Sequence, residues 1–63
     1  MLDIVTMIRY ENGELDAAET VAFFAGLVAS GMAWTLQGFY GRMARDLIDA
    51  GYISDEGEVL ADV

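Results

Sequence analysis

A run of 22 residues without a charge, from position 20 to position 41, constrains the fold of this chain most strongly. A stretch of about 20 apolar residues is long enough to cross a bilayer as one helix. Gly31 divides the run, and the polar residues Thr35 and Gln37 lie within it. We therefore expect two helices that meet near Gly31 in a globular domain, with a single membrane-spanning helix as the alternative.

A first helix is predicted before this run, over residues 3 to about 11. Ile4, Met7 and Ile8 recur there at the spacing of one helix face. Gly13 is expected to end this helix in the left-handed conformation. Several of these residues also favour strands, so a strand is the alternative for this segment.

The second helix has the clearest boundaries, and we predict it over residues 17–30. Asp16 is a good N-cap, and Glu19 stands three residues later, as in a capping box. Gly31 provides a natural C-terminal stop.

Apolar residues lie on nearly every side of this second helix. Val21, Phe24 and Val28 form one stripe, and Phe23 and Leu27 form another. A helix that is apolar all round must be covered on most sides, and two partner helices in 63 residues can hardly do so. We therefore predict self-association through Phe23 and Leu27 and expect a homo-oligomer.

The third helix is predicted to begin near Thr35 or Leu36 and to end at Gly51. Its apolar stripe comprises Leu36, Tyr40, Met43 and Leu47, widened by Phe39 and Ile48. Gly38 and Gly41 lie inside this helix, where each costs about 1 kcal/mol relative to alanine. Close approach of another backbone would explain why glycine stands there.

The opposite face of the third helix carries charges of both signs. Arg42 and Asp46 are four residues apart, as are Arg45 and Asp49. Such pairs on a helix surface contribute about 0.2–0.5 kcal/mol each, and we expect both to form.

These segments predict an all-α fold, a compact bundle of three short helices in which the last two could form a helix-turn-helix. We expect residues 1–53 to be a single helical domain and residues 54–63 to be an acidic tail. The tail is either a small hairpin around residues 55–57 or a frayed end. Tyr52 and Ile53 are expected to pack against the core.

Composition argues against an enzyme. The chain has no His, Cys or Lys, so it lacks the usual general base, thiol nucleophile and Schiff-base amine. We expect no catalytic residue, metal site or cofactor. Glu11, Glu14, Asp16 and Glu19 could attract a hard cation, but capping and a solvated acidic face explain them better.

A formal net charge of -8 also argues against a conventional nucleic-acid binder. A helix-turn-helix that reads DNA through Gln37, Arg42 and Arg45 is one alternative. A mimic of DNA, using the acidic residues to occupy a basic groove, is another.

Two stretches carry a family resemblance: YENGELD at residues 10–16, and GMAWTLQGFYGR at residues 31–42 with its continuation to Ile53. Together they resemble a family of very small, uncharacterised bacteriophage proteins. The resemblance implies a phage origin and a location in the host cytoplasm, and it brings no established activity.

The segment from Trp34 to Arg42 holds the densest cluster of candidate binding residues. Trp, Tyr and Arg dominate interface hot spots, and Trp34, Gln37, Tyr40 and Arg42 are our candidates for a partner-binding surface. In the alternative interpretation Trp34 and Tyr40 belong to the core, Gln37 caps a helix and Arg42 pairs with Asp46. We predict a non-catalytic phage accessory protein that acts by protein–protein interaction, on a host or phage protein or on itself.

Overall fold

A computed structural model of the chain describes residues 4–36 and 38–61. They form three α-helices, α1 (Ile4–Glu11), α2 (Ala17–Ser30) and α3 (Gly38–Asp49), with a 3-10 turn (Met32–Trp34) between α2 and α3. The fold is a small all-α bundle, as the sequence predicts. The predicted helix start at position 3 and the candidate Gln37 lie outside the described residues.

Helix α1 confirms the choice of helix over strand, and Gly13 terminates it in the left-handed conformation, as predicted. This glycine has a φ of +74° and donates its N–H to the Tyr10 carbonyl at 3.0 Å. The Glu14 N–H reaches back to the Arg9 carbonyl at 2.8 Å, which completes a Schellman motif. No residue of α1 is fully buried, and Met7 and Tyr10 attach the helix to the core.

Helix α2 begins with the predicted capping box. The Glu19 N–H donates to Asp16 Oδ1 at 2.7 Å, and the Asp16 N–H donates to Glu19 Oε1 at 3.1 Å. Two of the N–H groups that a helix start leaves without a helical partner are therefore satisfied.

The uncharged run is broken where α2 ends at Gly31, as predicted. Gly31 has a φ of +79° and donates its N–H to the Val28 carbonyl at 3.1 Å. The Ser30 hydroxyl donates to the Leu27 carbonyl at 3.2 Å and accepts the Met32 N–H at 3.4 Å, so it bridges the two groups that a Schellman motif would join directly. Among the described residues, no helix has both the length and the apolar character needed to span a membrane.

Helix α3 begins later than predicted, at Gly38. The Thr35 and Leu36 N–H groups both donate to the Met32 carbonyl, at 3.0 and 3.1 Å, so these residues close the 3-10 turn and do not start α3. At the other end Gly51 has a φ of +85° and terminates α3, as predicted.

The core lies where the inner faces of α2 and α3 meet the 3-10 turn and the segment after α3. Its buried residues are Val21, Phe24, Ala25, Leu27, Val28, Ala33, Tyr40, Ala44, Leu47 and Ile53. The stripe of Val21, Phe24 and Val28 is thus confirmed as core-facing, and Ile53 packs into the interior as predicted. After Glu19, the exposed residues of α2 are all small: Ala22, Gly26, Ala29 and Ser30.

The segment after α3 folds back as a small hairpin, one of the two alternatives for the tail. Ile53 and Val59 form an isolated antiparallel bridge. The Ser54 hydroxyl accepts the N–H groups of Glu56 and Glu58, at 3.2 and 3.0 Å. The turn packs on α2 through Gly57, so the described part of the tail lies against the helical domain.

Candidate interaction surface

The 3-10 turn places Trp34 at the surface, on the side of α3. The turn packs against Gly41 of α3. A β-carbon built on Gly41 would stand 3.8 Å from Trp34 Cε3 and 3.4 Å from the Ala33 carbonyl oxygen. Ala33 is buried beneath the turn, whereas Trp34 is 49% exposed. The backbone of the turn thus contacts α3 at Gly41 at an ordinary van der Waals distance, whereas Gly38 has only the Arg42 side chain within 4 Å, so close approach of a backbone does not explain Gly38.

Two arginines of α3 line the same depression as Trp34. The guanidinium carbon of Arg45 lies 5.5 Å from the ring centroid, within cation–π range. The Nη1 atom of Arg42 lies near Gly38, 3.6 Å from where a β-carbon on that glycine would stand. We call the shallow depression lined by these residues the Trp–Arg groove; it comprises Trp34, Gly38, Gly41, Arg42, Arg45 and Asp46.

The predicted ion pairs on α3 do not form. Within the described part of the chain, neither Arg42–Asp46 nor Arg45–Asp49 comes within the 4.0 Å of a salt bridge. The Arg45 guanidinium instead lies over Trp34, and Arg42 extends back along α3 toward Gly38. Both arginines are exposed, and their charges are not neutralised by a carboxylate among the described residues.

Arg9 is different, because it is surrounded by acids. Its Nε atom lies 3.9 Å from Glu14 Oε1, and its Nη2 atom lies 3.6 Å from Glu19 Oε2. The chain has three arginines, so positive charge without an acidic partner is concentrated at the Trp–Arg groove.

The structure brings together two of the four predicted partner-binding residues. Trp34 and Arg42 line the same groove, and Gln37 lies outside the described residues. Tyr40 requires a correction: its side chain is 2% exposed and packs in the core, so it is removed from the predicted surface. Its position on the inward stripe of α3 explains this placement.

The Tyr40 hydroxyl still makes a polar contact, at the junction of α1 and α3. It donates a 2.6 Å hydrogen bond to Glu11 Oε2. Burial raises the pKa of this hydroxyl well above its usual value, and the hydrogen bond to Glu11 raises the pKa further. The hydroxyl therefore stays protonated and connects two helices.

Phe23 and Leu27, which were predicted to form a self-association surface, also need a correction. Leu27 is 3% exposed and belongs to the core of the single chain. Phe23 is partly buried in an aromatic cluster, with its ring 5.6 Å from Tyr10 and 5.3 Å from Phe24. The second apolar stripe of α2 is thus largely covered by the chain itself, because α1 brings Tyr10 over it.

The acidic residues near α1 each have a structural role. Glu11 accepts the Tyr40 hydroxyl, Glu14 and Glu19 lie near Arg9, and Asp16 caps α2. Over residues 4–36 and 38–61, no group of three or more potential ligand side chains is placed to hold a metal ion.

Sequence reasoning named Arg45 only in the DNA-reading alternative and left it out of the partner-binding surface. The available signal was its position three residues after Arg42, on the same exposed face of α3. A second exposed feature is the outer side of α1, where Ile4, Val5 and Ile8 are between 52% and 66% exposed.

The described residues define a small helical protein whose exposed tryptophan shares a shallow groove with two arginines, on a chain of net charge -8. The chain belongs to a family described as a domain of unknown function (DUF7417), whose model matches residues 1–63. No curated protein and no solved structure shows significant similarity to it.

Proposed function

We propose that this protein is a non-catalytic interaction module that binds another protein through the Trp–Arg groove. The observation that carries the proposal is Trp34, which is 49% exposed beside the two arginines that have no described carboxylate partner. Trp and Arg are the residue types most enriched among interface hot spots. A partner that covers the indole and pairs with the guanidiniums would satisfy all three side chains.

The proposed setting is that of a phage accessory protein acting in the host cytoplasm. Its support is the resemblance of residues 10–16 and 31–42 to small bacteriophage proteins. The partner is a host protein, a phage protein or a second copy of the chain. Nucleic acid is a weaker candidate, because a chain of net charge -8 repels a phosphate backbone.

Affinity capture tests this proposal. The tagged chain is incubated with a bacterial lysate, captured proteins are identified by mass spectrometry, and each candidate is purified and tested again with the purified chain. The expected result is a partner whose binding is lost in Trp34→Ala. Arg9→Gln serves as the control, because it changes an arginine that lies outside the groove and should retain the partner.

Two results would contradict the proposal. One is that Trp34→Ala and Arg9→Gln retain the partner equally. The other is that the wild-type chain captures nothing beyond the tag alone. A second copy of the chain would be recognised by a doubled mass in light scattering that Trp34→Ala reduces.

A further inference from the structure

The Trp–Arg groove combines features that select a particular kind of ligand. Arg42 and Arg45 are one turn apart on α3 and both exposed, and their guanidiniums lie near Gly38 and over Trp34. A guanidinium offers several N–H donors in a plane that matches a carboxylate. The two arginines can therefore receive one or two carboxylates on the same side of the helix.

The rest of the groove is suited to an apolar side chain and a peptide backbone. The half-exposed Trp34 ring provides a flat apolar surface beside the guanidiniums. Gly38 is exposed and carries no side chain, so an approaching main chain can reach the surface of α3 there, whereas Gly41 lies against the 3-10 turn.

Charge complementarity identifies the occupant. Resting on the proposed function, we infer that the groove binds an acidic peptide segment of the partner, with carboxylates on Arg42 and Arg45 and an adjacent apolar side chain on Trp34. The other arginine, Arg9, already lies near Glu14 and Glu19. Asp46 also lines the groove, so its two arginines leave it with a formal charge of +1. An acidic segment is therefore attracted to Arg42 and Arg45 and repelled by the remaining acidic surface, which fixes where it binds.

A nucleic acid fits this surface less well than a short acidic peptide. It brings one negative charge for every phosphate along its length, so most of those charges would lie beyond Arg42 and Arg45, over the acidic surface of a chain of net charge -8. Two arginines release few counterions, which are the main source of non-specific affinity for nucleic acid.

Selection from a library of random 12-residue peptides tests the inference without assuming a sequence. The folded chain is immobilised, bound peptides are sequenced, and the selection is repeated with the double variant Arg42→Gln/Arg45→Gln. We expect enrichment of Asp and Glu next to an aromatic or aliphatic residue. We expect that enrichment to disappear with the double variant and to persist with Arg9→Gln.

The fluorescence of Trp34 then measures binding at the groove itself, because it is the only tryptophan in the chain. The most enriched peptide without tryptophan is titrated against the chain, alongside an analogue with Asn and Gln in place of its acids. The acidic peptide should change the emission saturably and lose affinity as salt is added. The neutral analogue, or the double variant, should bind about tenfold more weakly or worse, as expected for charge-assisted hydrogen bonds.

The inference fails if the selected peptides are neutral or basic, or if nothing is enriched over the double variant. It also fails if a 12-nucleotide single-stranded DNA changes Trp34 emission at lower concentration than the acidic peptide. The proposed function is tested separately. A purified partner whose binding depends on Trp34 would support the proposed function even if the selected peptides are not acidic.

Discussion

Gly57 lies against the backbone of Ala29, so that a β-carbon at Gly57 would stand 2.5 Å from the Ala29 amide nitrogen. The same β-carbon would also come within 2.6 Å of the Ala25 carbonyl oxygen. Only glycine fits at such a contact, and the small side chains at Ala25 and Ala29 allow it. The hairpin of the tail thus packs directly on the backbone of α2 at Ala25 and Ala29.

Gly57→Ala is expected to destabilise the chain by about 3 kcal/mol, from the left-handed backbone at φ +89° and from overpacking against α2. Gly13→Ala is the matched control, because Gly13 has a φ of +74° but nothing within 4 Å of the added carbon. We expect that control to cost about 1 kcal/mol. Urea unfolding measures both, and equal losses would show that the tail is not packed on α2.

Leu27→Asp should unfold the chain. Leu27 is 3% exposed, and a carboxylate placed there without a partner is strongly destabilising. Ala22→Asp, on the exposed side of the same helix, should leave the helical circular dichroism spectrum almost unchanged. If Leu27→Asp kept the helical spectrum and only lowered the mass in light scattering, Leu27 would be a contact between copies and its burial in the single chain would be wrong.

Tyr40→Phe should reduce the free energy of unfolding by about 1 kcal/mol, because it removes the hydrogen bond from Tyr40 to Glu11 that joins α3 to α1. Amide hydrogen exchange in α1 should become faster in this variant. Tyr52→Phe is the control, since the Tyr52 hydroxyl makes no hydrogen bond within the described part of the chain. Similar exchange of α1 in both variants would contradict the assigned role of Tyr40.

The raised pKa of Tyr40 predicts a loss of stability in alkaline solution. A tyrosine in the unfolded chain ionises near pH 10, whereas folded Tyr40 keeps its proton to higher pH. Above about pH 10 the unfolded state therefore binds fewer protons than the folded state, and the free energy of unfolding falls as pH rises. The contribution is fully present below that pH and declines by up to about 1.4 kcal/mol per pH unit above it.

Urea unfolding of the wild type and of Tyr40→Phe between pH 9 and pH 11.5 checks this behaviour. The wild type should lose stability more steeply than the variant. Parallel curves would mean that the Tyr40 hydroxyl ionises as readily in the folded chain as in the unfolded one.

Local signals predicted the helices well. The capping box of Asp16 and Glu19, together with Gly31, gave α2 its observed bounds. These features act within a few residues of each other, so they can be recognised in the sequence alone. The start of α3 was misplaced because the 3-10 turn depends on which carbonyl accepts the Thr35 N–H, and no composition signal separates the two possibilities.

Features that depend on distant contacts could not be predicted in the same way. Phe23 and Leu27 were expected at an interface because the sequence does not reveal that Tyr10 of α1 packs against Phe23 or that Leu27 is buried within the chain. The packing of Gly57 on α2 joins segments almost 30 residues apart, and no local pattern indicates it. Arg42 and Arg45 were paired by spacing alone, whereas the nearby Trp34 ring draws Arg45 away from Asp49.

The most direct measurement of the central claim is an NMR titration of the isotope-labelled chain with the purified partner. The single tryptophan gives one indole N–H signal, which reports on Trp34 alone. If the partner binds at the Trp–Arg groove, we expect large chemical-shift changes for the indole signal and for Arg42 and Arg45. The signals of Ile4 and Ile8 on α1 should not change. Shifts concentrated on Ile4 and Ile8, with the Trp34 indole unchanged, would contradict it.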